Sequence, residues 1–196
     1  MNVKEITFNA MFIAIVAVMA LIPNLGIITV GPISITILHI PVIVAGIAFG
    51  MKSAIIVSLA FGLSTMFVAM TRAVTPIDVL FVNPVLSVFP RLLFGLTISF
   101  IWKMIASLKV NENISISITA FFATVFHAIF VLGTLYFFLG YTGDLLTQIN
   151  EWFIFVFTII ISNTLLEAVA AILLSVPLVH ILWRIYPNAK THQINR

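Results

Sequence analysis

The chain has 196 residues, 62% of them hydrophobic and only 8% charged, with a mean hydropathy of +1.26. A water-soluble domain carries roughly a quarter charged residues, so nine basic and six acidic side chains cannot cover this one. That excludes a soluble enzyme and leaves an all-α integral membrane protein, read as a single domain over residues 1–196. The net charge of +3 does not indicate nucleic acid, because the basic residues sit singly at the ends of apolar segments, with no aromatic-interleaved patch.

A helix needs about 20 apolar residues to cross the hydrocarbon core, and the chain divides into six apolar runs joined by short connections. The first, Ile6 to Ile22, ends at Pro23-Asn24. It has no Ala-x-Ala cleavage pattern, so it reads as a retained helix rather than a signal peptide. Residues 23–37 follow, where Ile33, Ile35 and Ile37 alternate with Ser34 and Thr36 after the turn pair Gly31-Pro32, the pattern of a short β-hairpin. The second run, Leu38 to Gly50, is short and weakened by Pro41 and Gly46. With the third, Ser53 to Met70, it forms one in-and-out pair turned at Gly50-Met51-Lys52. The fourth runs from Pro84 to Ile105, the fifth from Ile114 to Leu139, and the sixth from Trp152 to Tyr186.

Six transmembrane helices put both termini on one side. If that side is the cytoplasm, Lys4, Lys52, Lys103, Lys109, Arg184, Lys190 and Arg196 are inside and only Arg72 and Arg91 are outside. Seven against two follows the positive-inside bias and predicts a multi-pass protein of the cell membrane with cytoplasmic termini. The longer connections, 23–37, 71–83 and 140–151, then lie outside. Long loops tend to be functional, so these predict a lid over an outward-opening pocket.

Ionisable groups within spans are costly and mark sites or pathways. Asn83, Ser87 and Arg91 recur every four residues and would share one helix face. Arg91 lies twelve residues from Lys103, about 18 Å along the axis, which in a core of about 30 Å leaves it about 12 Å below the outer surface. The sixth run places Asn163 and Glu167 one turn apart. The fifth carries His127 at about the depth of Arg91, with Thr124 one turn away and Tyr136 further out. His39 lies near the outer end of the second run. These residues could line a site, or Arg91 and Glu167 could form an ion pair that only fixes helix packing. Both can hold, since one carboxylate leaves guanidinium donors free. His127 reads equally well as a structural hydrogen-bonding residue. Ala10, Ala14 and Ala17 on the first helix, and Gly46 with Gly50, are small-residue spacings that permit close helix approach, either within the bundle or against a partner.

No phosphate-binding loop, zinc-protease motif or nucleophile elbow is present. There are no cysteines, and His39, His127, His180 and His192 lie on different elements or sides, so neither a metal nor a cofactor is expected. An intramembrane enzyme would have to rest on His127 and Glu167 alone. A stand-alone secondary transporter is another reading of the same residues.

Over nearly its whole length the chain resembles the substrate-binding S components of energy-coupling factor (ECF) vitamin transporters. The likeness lies in size, six-helix layout, basic-inside orientation, the alanine-spaced first helix around Ala10 and Ala14, and the stretch Ile37-Leu38-His39-Ile40-Pro41-Val42-Ile43-Val44-Ala45-Gly46-Ile47-Ala48-Phe49-Gly50. The run Asn83-Pro84-Val85-Leu86-Ser87-Val88-Phe89-Pro90-Arg91 is similar to the pantothenate-type subgroup. The resemblance implies a vitamin-capturing membrane subunit, not itself an enzyme. Its alanine motif would dock on a transmembrane coupling subunit, and two cytoplasmic ATPase subunits would hydrolyse ATP. For pantothenate, Arg91 would meet the carboxylate. Asn83, Ser87, His127 and Asn163 would serve the amide and hydroxyls, with Glu167 and His39 nearby, and Tyr136 and Trp152 would cover the dimethyl group; folate or another anionic vitamin would fit the same argument.

Overall fold

The computed structural model describes residues 3–30, 33–74, 76–108, 110–142, 158, 163–187 and 189. Helix α1 (Val3–Leu21) leads into strands β1 (Ile27–Val30) and β2 (Ile33–Thr36), followed by α2 (His39–Phe49) and α3 (Met51–Arg72). Two short helices, α4 (Pro76–Leu80) and α5 (Pro84–Ser87), precede α6 (Phe89–Ser107), α7 (Glu112–Thr142) and α8 (Leu165–Ile185). Among the described residues, five helical stretches are long and apolar enough to cross a membrane: Val3–Leu21, Met51–Arg72, Pro84–Ser107, Glu112–Phe138 and Leu165–Ile185.

The expected sixth crossing differs in kind. Helix α2 has 11 residues, about 16 Å at 1.5 Å per residue, so it cannot span a core of about 30 Å. Every residue from His39 to Ala48 is buried. A helix that is apolar all round belongs inside protein, and α2 runs through the centre, packed on α1, α3, α6, α7 and α8. Pro41 does no harm because it lies in the first turn, where a backbone N–H has no intrahelical acceptor. Gly50, at φ 87°, makes the turn into α3, a conformation that costs glycine little. A Cβ on Gly46 would lie 3.2 Å from Ala54 Cβ, so α2 and α3 fold back on each other across that turn.

The hairpin forms as the alternation predicts, antiparallel and with Ile27 opposite Thr36 and Val30 opposite Ile33. Asn24, at φ 60°, helps the chain leave α1, a conformation asparagine tolerates. Arg72 at the end of α3 donates from Nη2 to Ala20 O at 2.5 Å, satisfying a carbonyl that the last turn of α1 leaves open. At the opposite end, Lys4 Nζ lies 5.3 Å from the centre of the Tyr186 ring, and Phe8 stacks on Phe49. The start of α1 and the end of α8 therefore share one end of the bundle, and the hairpin occupies the other.

Close packing of α3 against α6 rests on Gly95. A Cβ there would press on Ser58 Oγ and come within 3.0 Å of Ala54 O, a backbone atom that cannot swing away. Gly95→Ala is expected to destabilise the fold by about 1–3 kcal/mol through overpacking, read as a lowered melting temperature of the purified protein in detergent. An unchanged melting temperature would mean that the two helices separate without cost.

Candidate functional site

The predicted polar stripe on the fourth run is built differently from a continuous helix face. The run breaks at Val88, between α5 and α6, and Asn83 is the N-cap of α5, with its side chain accepting from Val85 N at 2.9 Å. Ser87 Oγ donates to Asn83 O at 3.0 Å. Both side chains are engaged with the backbone of α5 and its cap. Pro90 lacks the N–H that an unbroken helix would direct at Leu86 O. Arg91 supplies the missing donor, with Nη1 2.6 Å from Leu86 O. One part of the guanidinium thus repairs the backbone while the rest faces inward.

Arg91 is buried, at 5% exposure, and its Nε has no hydrogen-bond partner among the described residues. Its Cζ lies 4.9 Å from the centre of the Phe81 ring and 5.4 Å from that of Phe61, cation–π contacts that replace part of the lost hydration. Phe81 belongs to the connection between α3 and α5, so that loop closes over the guanidinium. His127 on α7 meets the same Phe61 ring at 5.5 Å and Phe94 at 4.9 Å. It stacks on His39 with the rings 5.6 Å apart and 10° from parallel. Arg91 and His127 therefore both border the Phe61 ring. His39 Nε2 and Thr124 Oγ1 share a hydrogen bond of 3.2 Å. His127 Nε2, buried, has no partner among the described residues.

Glu167 enters from the first turn of α8 at 6% exposure. Its Oε1 accepts from the backbone N–H of Thr36 at 2.6 Å. It lies within electrostatic reach of Arg91, yet among the described residues the two form no direct ion pair. Asn163, one turn earlier, is half-buried. Tyr136 lies nine residues beyond His127, about 13 Å along α7 and half a turn round, and is 36% exposed. Among the predicted residues the fold gathers Arg91, His39, His127 and Glu167, keeps Asn83 and Ser87 at the helix break, and leaves Tyr136 apart. Trp152 lies outside the described residues. The aromatic walls Phe61, Phe81 and Phe94 were not legible in the sequence, since 18 phenylalanines carry no mark of which ones line a site. Thr36, read there only as one position of an alternation, proves to anchor Glu167.

A nitrogen from each of His39 and His127 and a carboxylate oxygen of Glu167 lie within 4.8 Å of one another. The sequence kept the histidines on separate elements, and the fold stacks two of them beside a carboxylate, a donor set that suits a divalent transition metal. Arg91, electrostatically coupled to both His127 and Glu167, opposes that use, because a positive guanidinium repels a cation where charges are weakly screened. The same arrangement suits an organic anion bearing hydrogen-bond donors and acceptors. Its carboxylate would meet Arg91, and its polar groups would meet the imidazoles.

Two comparisons bear on this arrangement. Residues 4–179 match a family model described as ECF transporter, substrate-specific component. Over 204 aligned residues the chain is also 27% identical to the pantothenic acid transporter PanT of Lactococcus lactis subsp. cremoris (strain MG1363), covering 95% of this chain and 97% of that protein.

Proposed function

From the fact that the chain belongs to the substrate-specific components of ECF transporters, a family of transport subunits rather than catalytic enzymes, we propose that it captures pantothenate for ATP-driven uptake. The observation that carries this reading is Arg91, among the described residues the one buried cation, bordering the same Phe61 ring as His127, which stacks on His39. Pantothenate is one carboxylate joined through an amide to a dihydroxy, dimethyl segment. Arg91 takes the carboxylate through a charge-assisted pair. His39 and His127 serve the hydroxyls and amide, Asn163 borders them, and Phe61 and Phe94 receive the methyl groups. The 27% identity to a pantothenic acid transporter supports this choice of vitamin.

The site lies toward the hairpin end, which in this reading faces outward with both termini in the cytoplasm. The basic residues support that orientation. A transmembrane coupling subunit docks on α1 through Ala10, Ala14 and Ala17, and two cytoplasmic ATPase subunits drive transport. Two measurements test the proposal. Affinity purification from membranes should recover a coupling subunit and two ATPases, whereas a stand-alone carrier would come alone. Mass spectrometry of small molecules released from the protein should detect pantothenate. A different vitamin, with pantothenate absent, would overturn the ligand while leaving the transport role.

A further inference from the structure

We propose that Glu167 is a positioning residue that latches the β-hairpin over the bound ligand, rather than a ligand contact. Three observations converge on it. Glu167 is a buried carboxylate, so its charge must be compensated within the protein. Its Oε1 is taken by Thr36 N at 2.6 Å, a contact linking α8 to a residue 131 positions earlier. Thr36 is the last residue of β2 and also the joint between the hairpin and the site. Its Oγ1 donates to Gly26 O at 3.2 Å and accepts from Leu38 N at 3.2 Å, immediately before His39.

A two-stranded hairpin alone is marginally stable. The N–H of Thr36 points out of the hairpin toward α8, and its bond to a carboxylate belongs to the stronger, charge-assisted kind. Breaking it would free β2 from α8 and loosen the start of α2 together with His39. Arg91, within electrostatic reach of Glu167, adds to the hold on the carboxylate while keeping its unpartnered Nε for an anion. The latch therefore controls how long a ligand stays rather than whether its charge is recognised.

The proposal rests on the pantothenate reading for its kinetic arm only. In the full-length protein without ligand, hydrogen exchange at the Thr36 amide should be slow, and Glu167→Ala should accelerate it by roughly 10- to 150-fold, the worth of a hydrogen bond to a charged group. Pantothenate should leave the Glu167→Ala protein faster by a comparable factor, with its association rate within about threefold of the parent. Glu167→Gln, whose neutral amide oxygen still accepts from Thr36 N, should restore part of both. Unchanged Thr36 exchange in Glu167→Ala would overturn the latch. So would a Glu167→Gln protein that protects the Thr36 amide better than Glu167→Ala yet releases pantothenate just as fast, since that pattern separates ligand release from the bond to Thr36. If the parent protein fails to bind pantothenate, the ligand reading falls, and the ligand-free exchange experiment still decides the latch.

Discussion

Arg91→Gln is expected to weaken pantothenate binding about 30-fold or more, while the protein still folds and still assembles. The guanidinium is 5% exposed, packed against Phe61 and Phe81, with Nε unpartnered among the described residues. Removing one partner of a desolvated charge pair costs roughly 2–5 kcal/mol, and each 1.4 kcal/mol or so is tenfold in affinity. Arg91→Lys keeps the charge but not the planar fork. It cannot serve Leu86 O and a carboxylate at once with the present geometry, so an appreciable loss is expected there too. The substitution also leaves Leu86 O without its present donor, and a modest fall in melting temperature accompanies the loss of binding. Calorimetry on purified variants decides between roles. Unchanged affinity with a lowered melting temperature would reduce Arg91 to a brace for the helix break and for Glu167.

Ala14→Trp is expected to abolish assembly with the coupling subunit, and with it uptake, while the isolated protein binds ligand as before. Ala10 and Ala14 are exposed and Ala17 is half-buried. Only 22% of the apolar window of α1 is buried, against 33–56% in the other four spans. The alanine face is thus turned away from the bundle, where an indole fits without disturbing Phe12, Val16 and Ala20 in the core. Small side chains let two helices approach closely enough for backbone packing, and a bulky one holds them apart. Co-purification of the variant from membranes, together with a ligand titration on the isolated protein, tests this. Retained assembly with lost binding would place the alanines in an internal contact.

Much of the architecture was legible because lipid imposes so few solutions. Runs of apolar residues, the alternation of Ile33, Ile35 and Ile37, and the glycine turn at Gly50 each have one cheap conformation, and the structure adopts it. The membrane likewise singled out Arg91, His127 and Glu167, since ionisable groups in spans are rare enough to be counted. Hydropathy could not distinguish a helix that crosses lipid from one enclosed by other helices, and α2 has the composition of the first and the surroundings of the second. The helix break at Val88 was equally hidden. Two prolines, Pro84 and Pro90, stand in this stretch, but only the fold turned the side chain of Asn83 into a cap and that of Arg91 into the donor for Leu86 O. The stacking of His39 on His127 and the bond from Thr36 to Glu167 join residues 88 and 131 positions apart. Local periodicity carries no information about such pairs. The sequence by itself determined the membrane class, the apolar elements and the short list of costly polar groups, because transfer into lipid is a property of each segment alone. Tertiary structure decided which of those groups meet and which phenylalanines wall them in, because contact depends on how helices pack against one another.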